Sequence, residues 1–379
     1  MDKVALCIIL LFLCSCSSKN TGKRSYDLVE TDTKIEFKLD DQTTNNTGCT
    51  RIYRDKNDGI EYLVFQNGIN PRLLFYNMKT GEFIKDVKYT LLGPEGVSKF
   101  AGFYIKSKDE IYLNDMSFKH LDVVDWNGRL KRRIPSKSVE GKRLFIFLNE
   151  DDLIMVGDSL FLGLGINWEN GMDNKLKNSP LCAVLNAKND EIKTLPFSYF
   201  DLTQKEDDGY IVIYNLCCFD GERFIYSFPE SDDIFVSDIS HEHVKRIRIE
   251  NKYWPHREIP LQRINSKTRL QQLEAGENAS IYYDPYRDVY YRVIYPPCEI
   301  DPKINLSDFI GYGRSKFVIQ VLDKTFHIIG EKEMPENIYC SMPFLIREDG
   351  VYLSESHFLN PNFDEDKLVL RRFELVSGK

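Results

Sequence analysis

The sequence predicts an all-β fold, a six-bladed β-propeller of four-stranded blades, on three observations. One four-strand unit recurs six times between residues 49 and 375. Aromatic residues make up 13% of the chain, with 21 Tyr and 24 Phe, a composition that suits strands. A lone alternating segment, Lys34-Ile35-Glu36-Phe37-Lys38-Leu39, belongs to no unit, whereas the last unit lacks a fourth strand. Pairing that N-terminal strand with the last blade closes the ring, and closure protects sheet edges.

Each unit has a short apolar strand, a polar turn, a second strand, a variable loop, a third strand ending near Asn or Asp, and a tight turn into a fourth. The first unit reads Cys49–Tyr53, Ile60–Gln66, Leu73–Tyr76 and Glu82–Tyr89, and the second Ser98–Ile105, Glu110–Asn114, Leu121–Val124 and Arg129–Ile134. The third is expected at Arg143–Leu148, Ser159–Leu164, Leu181–Leu185 and Glu191–Pro196, the fourth at Tyr210–Leu216, Glu222–Ser227, Ile234–Ser237 and His243–Ile249. The fifth spans Ala279–Tyr283, Val289–Ile294, Phe317–Leu322 and Phe326–Met334, the sixth Cys340–Ile346, Val351–Ser354 and Leu368–Leu375. A seventh blade hidden in Glu250–Asn278 is disfavoured because that insert lacks alternating strands. It carries instead an expected helix, Lys267–Ala275, with Leu270 and Leu273 on one face and Gly276 at its end. Two β-sandwiches are the other competitor, disfavoured by the regular repeat.

First-to-second and third-to-fourth turns are short, with Gly59, Gly81, Gly128 and Gly221 beside Asn or Asp where φ turns positive. Length variation falls in the second-to-third loops (Gly165–Pro180, Tyr295–Lys316, Glu355–Lys367) and the inter-blade loops (Phe197–Gly209, Glu250–Asn278). In a propeller those two classes emerge on one face. Repeat proteins place insertions on the binding face, because loops tolerate change while blades hold the core.

The N-terminus has its own organisation. Met1-Asp2-Lys3 precedes ten apolar residues, Val4 to Leu13, too few to cross a bilayer of about 30 Å and read as a signal-peptide core. Residues 1–15 are assigned as signal peptide, 16–33 as a flexible tether and 34–376 as a single propeller domain. The net charge of -8, from 50 basic and 58 acidic residues, leaves no basic stripe to neutralise phosphates, so no nucleic-acid partner is expected. Beyond the N-terminal segment six cysteines remain, Cys49, Cys182, Cys217, Cys218, Cys298 and Cys340, mostly inside apolar runs that suit unpaired buried thiols. With no Cys-x-x-Cys, a redox or zinc site has little support.

Leu13-Cys14-Ser15-Cys16 resembles the lipobox of bacterial lipoproteins, which implies lipidation of Cys16 and cleavage before it. Together with the first blade's Leu73-Leu74-Phe75-Tyr76-Asn77…Thr80-Gly81-Glu82 and a length near 380, the chain is similar to an uncharacterised lipoprotein family of Gram-negative gut anaerobes, a domain of unknown function with a six-bladed, TolB-like propeller. The resemblance covers Thr33 to Ser377 and implies fold and location, with no reaction to carry over. In such anaerobes surface-exported lipoproteins carry an acidic run after the lipidated cysteine. Ser17-Ser18-Lys19-Asn20-Thr21 is not acidic, so an outer-membrane lipoprotein facing the periplasm is expected.

Several clusters carry chemistry-bearing side chains. His241-Glu242-His243 is the most metal-like but falls in a third-to-fourth turn without a nearby third ligand, and is read as a solvated turn. Trp254-Pro255-His256-Arg257 in the longest insert and Trp168 in the loop Gly165–Pro180 form the candidate binding face, against the plainer reading of tryptophans that pin their own loops. The tyrosine-dense hairpin Tyr282–Tyr291 reads as core, and the acidic pairs Asp207-Asp208, Asp232-Asp233 and Asp364–Asp366 as solvated loops. No nucleophile elbow, zinc-protease or phosphate-loop motif occurs. No catalytic residue, metal or cofactor is assigned. The expected function is a lipid-anchored envelope module that binds a protein, peptide or glycan through its long-loop face. The alternative is a propeller hydrolase or lyase with carboxylates, and a divalent cation, at the tunnel mouth.

Overall fold

The computed structural model describes residues 25–47, 49–90, 93, 96–146, 153–166, 179–199, 201, 216–229, 231–255, 270–271, 273–301 and 303–378. The first strand, β1 (Tyr26–Lys38), precedes four successive four-stranded antiparallel sheets. These are β2 (Thr50–Arg54), β3 (Glu61–Gln66), β4 (Arg72–Asn77) and β5 (Phe83–Lys88), then β6 (Phe100–Ser107), β7 (Glu110–Asp115), β8 (His120–Val124) and β9 (Leu130–Pro135). The third holds β10 (Leu153–Val156), β11 (Ser159–Gly163), β12 (Cys182–Asn186) and β13 (Ile192–Thr194), and the fourth β14 (Leu216–Phe219), β15 (Phe224–Ser227), β16 (Asp233–Ser237) and β17 (Val244–Arg248). Next come β18 (Glu277–Asp284), β19 (Val289–Tyr295), a short helix α1 (Leu306–Gly311), β20 (Val318–Leu322) and β21 (Ile328–Glu333). The chain ends with β22 (Phe344–Arg347), β23 (Gly350–Ser354) and β24 (Lys367–Ser377). Within each four-stranded sheet strands pair in chain order, the up-and-down meander of a propeller blade, while in the eight-stranded sheet β1 lies between β21 and β24.

Strand β1 pairs with the last strand of the chain, as expected of the lone segment. Ile35 lies opposite Leu370 and Phe37 opposite Leu368 in antiparallel pairing with β24. It starts at Tyr26, however, so residues 26–33, expected as tether, are strand: Tyr26 pairs with Ser377 and Leu28 with Leu375. The missed signal was the alternation of Tyr26 and Leu28 within a polar stretch, and Leu28 is buried. Tyr26 also pairs in parallel with Gly330 of β21, which joins the last strands into one eight-stranded sheet. A Cβ on Gly330 would lie 2.4 Å from the Tyr26 carbonyl oxygen, so the approach needs glycine.

The core lies between sheets rather than within one. Val64 and Phe75 of the first sheet pack with Phe103 and Leu113 of the second, and Tyr112 and Val123 of the second with Leu160 and Leu162 of the third. Phe161 and Leu181 meet Phe224 and Tyr226 of the fourth sheet, and Ile225 and Ile234 of the fourth meet Ile281 and Tyr290. Tyr291 and Val293 then meet Val351 and Phe373, and Phe37, Leu368 and Leu370 pack against Leu63 and Leu74 of the first sheet. Central strands such as β3 and β4 are covered on both faces and read as continuous apolar runs, whereas β5 and β17 are largely exposed.

Two expected strands are corrected. The third sheet starts at Leu153–Val156, not Arg143–Leu148, because Gly157-Asp158 makes a two-residue hairpin in which Gly157 has φ +61°. Among residues 143–146, Arg143 and Ile146 make only isolated bridges. In the fourth sheet the described part of the first strand is Leu216–Phe219, so Cys217–Phe219, expected as turn, are strand, while the rest of the expected Tyr210–Leu216 lies outside the described residues. Asp220 closes the turn instead, its carboxylate accepting from the Glu222 and Arg223 amides at 3.0 and 2.7 Å. The helix α1 was not anticipated, although Asn305 caps it, accepting from the Ser307 amide at 2.9 Å. The expected helix at 267–275 is helical at 270, 271, 273 and 274, with Leu273 buried and Leu270 exposed.

Candidate functional site

The innermost strand of every sheet faces a central cavity of about 640 Å³, within the size range of small-molecule sites. Strands β2, β6, β10, β14, β18 and β22 all contribute. The wall residues, among them Tyr104, Phe219, Tyr283 and Ile346, lie a few positions before the short first-to-second turns, and Lys56 lies in such a turn. The cavity therefore sits toward the short-turn end. Its walls are aromatic and basic: Arg51, Arg54, Lys56 and Lys106 line it, and among its described lining there is no aspartate or glutamate.

These four cations differ in how they are compensated. The Arg54 guanidinium pairs with Glu61 at 2.8 Å, a carboxylate that also takes Arg347 at 2.7 Å. Lys106 pairs with Glu110 at 2.8 Å. Burial alone would raise the Glu110 pKa, but hydrogen bonds from Lys106, Arg132 and Tyr112 outweigh it and hold the group at about 2. Arg51 donates from Nε to the Phe103 carbonyl at 2.8 Å and lies 5.8 Å from the Tyr104 ring centre, while its buried Nη2 has no hydrogen-bond partner among the described residues. Neither Arg51 nor Lys56 has a described carboxylate within ion-pair distance. Burial, and then the neighbouring Asp55 carboxylate, push the Tyr53 hydroxyl up to about 12, so it stays a neutral donor.

The opposite end carries the second-to-third and inter-sheet loops. Of fifteen exposed large hydrophobic residues among the described ones, eight sit in those loops, including Ile69, Met116, Leu306, Ile310, Met342 and Leu359. Only Ile239 and Tyr286 sit in the short turns. The loops interlock: Tyr312, just after α1, packs 5.5 Å from Phe358 and donates to the Asn45 side chain at 3.1 Å.

Of the residues singled out in the sequence, Trp254 is 8% exposed, packs with Ile294 and Val318, and donates from its indole to Asp232 at 2.8 Å. Its ring anchors the loop to the strands beneath. Trp168, His256, Arg257 and Cys16 lie outside the described residues, as does the pair Asp207-Asp208. Asp232 and Asp233 are buried rather than solvated. The first accepts from Asn251 at 2.5 Å besides the indole, and the second accepts from Arg246 Nε at 2.8 Å. The His241–His243 turn splits. His241 is buried against Phe224 and Tyr226, and burial lowers its pKa, while exposed His243 pairs with Asp238 at 2.8 Å. In the tyrosine-dense hairpin Tyr282, Tyr290 and Tyr291 are buried and Tyr286 is exposed. Among the described residues the six cysteines form no disulfide, and no three His, Cys, Asp or Glu side chains gather as a metal site. The channel cations escaped the sequence reading because they come from separate strands. The only local hint was Arg51, Arg54 and Lys56 in one unit.

Successive four-stranded meanders around a lined centre define an all-β, propeller-like protein. Residues 25–333 match the family described as "Domain of unknown function (DUF4221)", and the chain belongs to that family. It is similar to the crystal structure of a DUF4221 member from Bacteroides vulgatus, with 22% identity, 94% of this chain and 100% of that chain covered, and a TM-score of 0.81. A "Putative exported protein" from Bacteroides fragilis shares the fold more loosely, at 13% identity, 93% and 96% coverage, and a TM-score of 0.54. No curated protein matches the chain.

Proposed function

We propose that the chain is a six-bladed β-propeller, its ring closed by β1, lipid-anchored through Cys16 to the periplasmic side of the outer membrane, and that it binds a protein, peptide or glycan partner through its long-loop face. Six core clusters that link neighbouring sheets, the last returning to the first sheet, support the blade count and closure. The lipobox-like Leu13–Cys16 supports the anchor, and the exported description of the B. fragilis neighbour is in keeping with it.

One observation carries the binding reading: exposed apolar side chains concentrate on the loops of one end, eight against two in the short turns of the other. Such patches on a folded chain mark interaction surfaces. The hydrolase or lyase alternative needs convergent carboxylates at the tunnel mouth, and the described lining offers cations instead.

The test is capture from envelope extracts by the full-length protein in mild detergent, compared with Ile310→Lys and Leu359→Lys. Both side chains are exposed, so thermal stability should change little, within about 0.5 kcal/mol. A partner retained by the wild type and lost from both variants supports the reading. Equal capture by all three removes it.

A further inference from the structure

We propose that the short-turn end of the central channel is a binding site for a small, ring-bearing organic anion, held by Arg51 and Lys56 and stacked on the channel tyrosines. This goes beyond the long-loop reading and is independent of it, because it concerns the opposite end of the molecule.

Charge gives the first argument. Four basic side chains line a cavity of about 640 Å³ with no carboxylate in the described lining. Confined like charges raise the local potential, and low-dielectric walls focus it. Arg54 and Lys106 are already neutralised by Glu61 and Glu110, at 2.8 Å each. Arg51 and Lys56 have no such carboxylate among the described residues, which leaves an excess of positive charge for an anion to satisfy.

Donor geometry gives the second. Arg51 is held by two contacts, its Nε bond to the Phe103 carbonyl at 2.8 Å and the Tyr104 ring at 5.8 Å. Those contacts fix the plane of the guanidinium, yet its Nη2 is buried with no hydrogen-bond partner among the described residues. A buried donor left unsatisfied is costly, and an acidic oxygen is the acceptor that a guanidinium fork fits best. The surroundings then select the rest of the ligand. Tyr53, Tyr104 and Tyr283 line the cavity and bring aromatic rings to it, while the hydroxyls of Tyr53 and Tyr283 are already given to Asp55 at 3.3 Å and Asp288 at 2.8 Å, so it is the flat face of a ligand that they suit. Arg54, one of the lining cations, itself lies 6.0 Å from the exposed Tyr286 ring.

Titration calorimetry on the full-length protein in mild detergent, with glucuronate, 4-hydroxybenzoate, inorganic phosphate and neutral glucose, tests this. At least one ring carboxylate should bind saturably, weaken as salt rises, and exceed both phosphate and glucose. Arg51→Gln should weaken it roughly tenfold or more, as expected for losing a charged hydrogen bond. Because Arg51 also ties β2 to the Phe103 carbonyl, the exposed Lys56→Gln is the second variant, expected to weaken binding several-fold while the protein melts as wild type. No saturable binding to either carboxylate overturns the proposal. So does phosphate or glucose matching them, or affinity unchanged in Lys56→Gln. The capture experiment reads the other end and is unaffected by these outcomes.

Discussion

The integrity of the whole array hangs on β1, and Phe37 is the residue that tests it. Its side chain is fully buried, with its ring 5.6 Å from that of Tyr76 at an 86° interplanar angle, and it packs with Leu63, Leu368 and Leu370. It thus joins the N-terminal strand, the C-terminal strand and the first sheet. Phe37→Ala removes the transfer energy of the ring and leaves a cavity bounded by strands on both sides that cannot collapse, a loss of roughly 3–5 kcal/mol. Val29→Ala in the same strand, at a residue 39% exposed, should cost less than about 0.5 kcal/mol. Urea unfolding followed by tyrosine and tryptophan fluorescence gives both numbers. The Phe37 variant should move the midpoint with an unchanged slope, because the same surface is exposed on unfolding. A Phe37→Ala loss no larger than that of Val29→Ala would show that β1 is an accessory strap. The reasoning that makes it part of the cooperative core would then be refuted.

Two further outcomes follow from the same coordinates. Gly330→Ala should separate Tyr26 from β21, because the new Cβ would meet the Tyr26 carbonyl oxygen, while the pairing of β1 with β24 persists; amide hydrogen exchange should rise around residues 26 and 330 and stay slow at 35–38. Glu110, depressed from 4.5 to about 2, adds stability that is complete above its unfolded pKa and lost as pH falls through the folded one, so Glu110→Gln should flatten the fall in melting temperature between pH 4.5 and 2 while changing little below pH 2.

How much of this was legible in the sequence differs by element. The first, second, fifth and sixth units were placed within a few residues because their strands alternate or run apolar and their turns carry Gly, Asn or Asp. The first strand of the third sheet was misplaced and that of the fourth runs beyond its expected end at Leu216. The apolar run Arg143–Leu148 competed with the hairpin of Leu153–Val156, and Cys217–Phe219 were read as turn. Hydrophobicity alone cannot rank two adjacent apolar runs; the Gly157-Asp158 turn and the Asp220 cap decide it through backbone geometry. Burial of polar groups was the least legible feature. Asp232, Asp233 and His241 look solvated in sequence and are buried, because their partners Trp254, Arg246 and Tyr226 are supplied by other segments. The channel cations were hidden for the same reason.

The two ends of the molecule are built to different physical specifications. At the short-turn end, polar ties cross from one sheet to the next: Lys108 to Asp58 at 2.6 Å, Arg132 to Asp190 at 2.9 Å, Lys324 to Asp220 at 3.7 Å and Arg347 to Glu61 at 2.7 Å. Arg287 adds a bond to the Arg347 carbonyl at 2.9 Å. Exposed ion pairs are individually weak, but Asp220 and Glu61 are shielded and each serves more than one cation, which makes networks rather than isolated pairs. Short hairpins tied in this way lose little freedom when a ligand arrives, and a preorganised, charged cavity suits a small anion. The far end spends its length on loops with exposed apolar tips, which suits a large partner whose contact area can offset the cost of ordering them. If both sites operate, occupancy of the cavity should leave partner capture unchanged, because short turns tied across neighbouring sheets have little freedom through which one end could bias the other.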